Sequence, residues 1–178
     1  MAKVAFNKLN KVKSIPDIVY EWEGNDFIIK QYLPLEKKLD IIETVISLSG
    51  NGEEGFFNII KLQTFYTIEM LKNYTNISFT EKQEEDPAKL YDGILLNHVW
   101  EVLSEQIPER ERVYIWDNIL ELAHRVTEYN NSILGVLKTV SQNKEALDFD
   151  VTNLMQDISD PEKLETVRQL FDVTGLTS

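Results

Sequence analysis

The sequence predicts a mainly α-helical fold, a helical bundle with an N-terminal β-hairpin. Apolar residues recur at helical spacing through four long stretches, most of them opened by a proline or a capping residue. Residues 17–32 alternate instead, on either side of a Gly-Asn turn, which is the period of a strand pair. The stretch Phe56–Tyr74, FFNIIKLQTFYTIEMLKNY, is apolar around most of its circumference, with Asn58, Lys61, Glu69 and Lys72 on one narrow strip. A helix of that kind has to be covered on several sides, so it is expected at the centre of the fold with its bulky aromatic side chains in the core.

The chain begins with a basic run containing Lys3, Lys8, Lys11 and Lys13. It lacks the continuous apolar stretch of a signal peptide and reads as a solvated arm. In the first strand Ile18, Tyr20 and Trp22 face one way, Val19 and Glu21 the other; FIIKQY supplies the second. A lone hairpin is marginal in water, so it must lie on the helices or pair with another chain. Pro34 opens the first helix, with Leu35, Leu39, Ile42, Val45 and Ile46 turned inward, Glu36, Lys37, Lys38, Asp40 and Glu43 outward, and Gly50 as C-cap. After the central helix, residues 75–80 read as a loop or short extended segment and Glu81–Asp86 as a solvated charge run.

Asp86-Pro87 caps a helix running to about Gln106, with Leu90, Ile94, Val99, Val102 and Leu103 inward. Pro108 starts the longest element, expected to reach about Ser141. There Val113, Trp116, Ile119, Leu120, Ala123 and Val126 share one arc, and Asp117, Glu121, Arg125 and Glu128 lie opposite. Two short helices capped by Asp150 and Asp160 follow. The division expected is a helical domain with its hairpin over 1–142 and a short helical appendage over 143–178.

Composition narrows the function. A chain of 178 residues with 43% hydrophobic and 27% charged residues is a globular protein able to bury a core. No apolar run approaches the ~18 residues that span a bilayer. Thirty acidic against eighteen basic residues give a net charge of −12, which disfavours a nucleic-acid surface. The absence of cysteine removes disulfides and thiolate ligands.

Each motif that resembles chemistry has a plainer reading. Gly50-Asn51-Gly52-Glu53-Glu54-Gly55 fits G-x-G-x-x-G, but it follows a helix and would set two carboxylates beside a phosphate; it reads as an interhelical loop. Glu121-Leu122-Ala123-His124 matches one half of a carboxylate-bridged metal site, whose second half has no match at His98, preceded three residues earlier by Leu95. Asp148–Asn153 starts like a calcium loop but lacks its turn glycine, and Ser159 stands where the closing Glu belongs. Neither a nucleophile elbow nor a thiol is present. No enzyme is therefore expected, and no catalytic, cofactor or metal residues.

The phrases Lys30–Leu39 (KQYLPLEKKL), Tyr74–Phe79 (YTNISF), Leu90-Tyr91-Asp92 and Gln106–Glu109 (QIPE) occur in an order that resembles small acidic proteins encoded among the virion genes of tailed bacteriophages of low-GC bacteria. The likeness covers residues 17 to 140 or so. It implies a non-enzymatic virion-morphogenesis role as tail-assembly chaperone, scaffold or connector, working by binding other virion proteins. The alternative is a phage-encoded inhibitor that binds a host protein, for which an acidic surface suits a nucleic-acid-binding target. The partners implied are phage structural proteins, with a homo-oligomer as an option and neither nucleic acid nor membrane; the location implied is the bacterial cytoplasm or the virion. Tyr20 and Tyr32, at the ends of the hairpin, are the residues expected to bind a partner, since aromatics anchor interfaces and a strand edge offers main-chain hydrogen bonds. Trp22 and Phe27 are expected to pack on the long helix.

Overall fold

Asn58 starts the central helix. Its side-chain oxygen accepts from the N–H groups of Ile60 (2.8 Å) and Lys61 (3.4 Å), satisfying donors that no helical carbonyl can reach. In the computed structural model, which describes residues 14–50 and 56–132 together with Ala5, that helix is α2 (Ile59–Tyr74). Before it come β1 (Ile18–Trp22), β2 (Asn25–Ile29) and α1 (Leu35–Leu48). After it come α3 (Glu81–Glu84), α4 (Pro87–Leu96), α5 (Val99–Ser104) and α6 (Glu109–Asn130). The fold is mainly helical with an N-terminal hairpin. Residues as far as Thr127 form one compact unit; Glu128 begins a second, of which residues 128–132 are described.

α1, α4 and α5 pack against α2, which is the coverage its apolar circumference demands. Leu62, Tyr66, Ile68, Met70, Leu71 and Tyr74 are buried, joined from other elements by Ile29, Val45, Ile94, Leu103, Ile115 and Ile119. Phe56, Ile59 and Ile60 correct the expectation of an aromatic-to-apolar core along the whole stretch. They are exposed, and the buried residues of α2 begin at Leu62.

The largest departure from the expected pattern is a buried ion pair. Glu111, on the first turn of α6, is 3% exposed and accepts from three donors: Lys38 Nζ of α1 at 2.9 Å, the Tyr74 hydroxyl of α2 at 2.9 Å and the Leu33 N–H at 3.2 Å. Burial by itself would raise the Glu111 pKa. The Lys38 ammonium, the Leu33 N–H and the Tyr74 hydroxyl outweigh it and hold the carboxyl below its ordinary value. Burial and the adjacent carboxylate push the Tyr74 hydroxyl far above the usual tyrosine range. Two rings flank the ammonium, Tyr32 at 4.5 Å and Tyr114 at 5.4 Å from their centroids.

This pair turns both helices away from the faces expected of them. With Lys38 drawn in, α1 buries Ile41, Ile42 and Val45, while Leu35 and Leu39 stand exposed. With Glu111 drawn in, the buried stripe of α6 continues four and eight residues on through Ile115 and Ile119 to Ala123, and Val113 and Leu120 lie outside it.

Three further expectations are corrected. The charge run holds a one-turn helix, α3, closed by a capping box in which the Thr80 N–H and hydroxyl meet the Gln83 side-chain oxygen at 2.9 and 3.0 Å. The helix from Pro87 is two helices: His98 takes a left-handed conformation (φ 55°) after Asn97, whose amide donates back to the Gly93 carbonyl at 2.7 Å. The long helix stops at Asn130, where Asn131 and Ser132 form a turn and the Ser132 hydroxyl bonds the Tyr129 carbonyl. Asn and Ser side chains compete there with the helical ladder. The predicted helices beyond residue 143 lie outside the described residues. Among the described residues no helix is long and apolar enough to cross a membrane.

Candidate protein-binding surface

The hairpin turns through Glu23 (φ 50°) and Gly24 (φ 73°), two consecutive positive φ values that match the twist of the flanking strands. The register pairs Ile18 with Ile29, Val19 with Ile28, Tyr20 with Phe27, Glu21 with Asp26 and Trp22 with Asn25. Alternation then sorts the side chains. Tyr20, Trp22, Phe27 and Ile29 share the core face, with the Trp22 and Phe27 rings 6.0 Å apart. Val19, Ile28, Glu21 and Asp26 share the outer face. Val19 is 69% exposed and Ile28 45%; Ile18, at the start of β1 on the opposite face, is also exposed.

The two edges of this small sheet have different fates. The outward groups of β2 are met by the end of α2 and the residues just after it. The Asn76 side chain accepts from the Ile28 N–H at 3.1 Å and donates to the Asp26 carbonyl at 3.2 Å, so one amide replaces a strand. The Lys30 N–H donates to the Tyr74 carbonyl at 2.8 Å, and Lys30 Nζ to the Asn73 carbonyl at 2.8 Å. Because Ile28 points its N–H outward, the opposed Val19 does so too on the other side, and Glu21 after it. Among the described residues nothing outside the hairpin bonds these β1 groups. β1 is an open edge.

That edge carries a defined chemistry. The directly opposed pair Glu21–Asp26 sets two carboxylates on the outer face next to the apolar pair Val19–Ile28. Like charges so placed repel, and a cation arriving between them relieves it. The surface thus suits an extended segment with an apolar side chain near Val19 and a basic one near Glu21.

The two tyrosines singled out from the sequence stand in different surroundings. Tyr20 is partly buried on the core face of β1. Tyr32 lies beyond the end of β2, half exposed, with its ring under Lys38. Trp22 and Phe27 pack on the core cluster. Of the motifs weighed for chemistry, Glu121 is exposed and bound to Arg125 Nε at 2.7 Å. His98 Nδ1 lies 3.0 Å from Glu101 on the surface. Residues 51–55 and 148–159, which hold the glycine-rich loop and the calcium-like phrase, lie outside the described residues. What sequence reasoning missed is which strand edge stays open. Asn76, 48 residues from Ile28, decides it.

Compared with protein-family models, with curated proteins and with solved structures, the chain has no match in any of the three.

Proposed function

We propose that this chain is a non-enzymatic bacteriophage morphogenesis protein, of the tail-assembly-chaperone, scaffold or connector kind, that captures an extended segment of another virion protein on β1. The open edge carries the reading: unpaired main-chain groups at Val19 and Glu21 lie beside exposed apolar side chains, and strand addition uses both. The phage-like phrasing of residues 17–140 and the acidic surface support the same conclusion. The captured segment alternates apolar and basic residues, so capture weakens as salt is raised.

Val19→Pro tests it. Proline removes the outward N–H without touching the bonds to β2, and an edge strand tolerates it. Val19→Lys tests the apolar contact separately. Each virion protein encoded near this chain is co-expressed with it and recovered by pull-down. The expected result is soluble capture of at least one of them, reduced about tenfold or more in both variants, with unchanged thermal unfolding. Undiminished capture by folded Val19→Pro places the contact elsewhere. Capture of host proteins alone overturns the morphogenesis role in favour of the inhibitor.

A further inference from the structure

Three aromatic side chains meet between α2, α5 and α6. The Tyr66 ring stands edge-on to Trp100 (5.7 Å, 77°) and tilted to Trp116 (5.1 Å, 57°). With Tyr91 of α4 they wall an open cleft of about 340 Å³, large enough for one further ring and its attachment. Tyr66 is buried, whereas Tyr91, Trp100 and Trp116 keep part of their surface in water. Burial pushes the Tyr66 hydroxyl up to about 12, so it remains a donor, to the Arg112 carbonyl at 3.2 Å.

Arg112 supplies the single formal charge in the lining. Its Nε donates to the Ile107 carbonyl at 3.2 Å, which fixes the plane of the guanidinium and leaves both terminal nitrogens available. None of the ion pairs among the described residues involves it, although the chain carries thirty acidic residues. A partly buried arginine without a carboxylate, in a chain of net charge −12, marks a place for an anion brought by a ligand. A cationic ligand of the kind held by aromatic cages is repelled by the same group. One guanidinium in so acidic a chain matches one carboxylate, not a polyphosphate.

We infer that this cleft binds an aromatic side chain flanked by an acidic residue on a partner polypeptide: the ring lies against Tyr66, Trp100 and Trp116, and the neighbouring carboxylate pairs with Arg112. The site goes beyond strand capture and shares no residue with the hairpin. An inserted ring gains offset and edge contacts from surfaces already arranged for them. The fixed fork of the guanidinium receives a carboxylate through two hydrogen bonds.

The chain's three tryptophans allow a direct test, because Trp22 lies outside the cleft. The full chain, labelled with nitrogen-15, is titrated with acetyl-Phe-Glu-amide, and the indole N–H signals are followed. Trp100 and Trp116 are expected to shift while Trp22 does not. Acetyl-Phe-Gln-amide and acetyl-Ala-Glu-amide are each expected to bind about tenfold more weakly, the first lacking the charge and the second the ring. Arg112→Met is expected to abolish the preference for Glu over Gln while leaving ring binding intact, and Arg112→Lys to restore part of it. Equal binding of the Glu and Gln peptides to the wild-type chain overturns the inference, as do shifts at Trp22 of the same size. Tighter binding of N-acetyl-phenylalanine than of acetyl-Phe-Glu-amide assigns the carboxylate to a chain terminus and overturns the side-chain assignment. None of these outcomes depends on whether the hairpin captures a strand.

Discussion

Glu111→Ala is expected to destabilise the protein by about 3–5 kcal/mol, among the largest effects of any single substitution in the described residues. The substitution leaves the Lys38 ammonium buried without a counter-charge and orphans the Tyr74 hydroxyl and the Leu33 N–H at once. Denaturant unfolding of the variant measures it directly. A cost below about 1 kcal/mol, the range of exposed pairs, shows that water reaches the pair and that it does not tie α6 to α1 and α2. Glu111→Gln keeps a hydrogen-bonding group of nearly the same shape and isolates the charge.

The same carboxylate sets a pH dependence. Its folded-state pKa lies below the unfolded one, so its contribution is complete above the ordinary glutamate value of 4.5 and is lost as pH falls through the lower folded-state value. Between neutral pH and acid the wild-type chain is therefore expected to lose more stability than Glu111→Gln does. Parallel pH profiles for the two contradict the assignment.

Leu62→Ala and Leu71→Ala are each expected to cost about 2–5 kcal/mol, the lost transfer energy of the side chain plus the cavity left behind. Both leucines are buried on α2, where neighbouring elements pack on several sides and have little room to collapse. Ile60→Ala, two residues before Leu62 but 64% exposed, is the control and is expected to stay within about 0.5 kcal/mol. Chemical denaturation of the three variants separates the covered part of α2 from its free first turn. Equal effects at Ile60 and Leu62 contradict that division.

The central helix was legible because its apolar residues leave no wide polar face, and a helix of that composition can only be surrounded. The hairpin was legible because Ile18, Tyr20 and Trp22 alternate with Val19 and Glu21 before a glycine. Lys38 and Glu111 were not. A helical wheel assigns every charge to solvent, and each of these two is buried only because the other meets it from a helix 73 residues away. Once they turn inward, the facing of α1 and α6 shifts with them, which is why Leu35, Leu39 and Val113 were misplaced. The break at His98 lacks the glycine or proline that would announce it; Asn97 and a left-handed His98 end α4 by local hydrogen bonds. Arg112 sits in a run of alternating charges, ERER, where nothing in one dimension distinguishes it from Arg110. Only its place among Tyr66, Trp100 and Trp116 does. The hairpin's free edge depends on Asn76, a loop residue of no special pattern.

Amide hydrogen exchange of the free full-length chain tests the open edge of β1 most directly. The N–H groups of Val19 and Glu21 are expected to exchange rapidly. Those of Tyr20 and Phe27, bonded within the hairpin, and of Lys30, bonded to Tyr74, are expected to exchange far more slowly. Protection of Val19 and Glu21 equal to that of Phe27 shows the edge already covered and contradicts capture of a partner strand on β1.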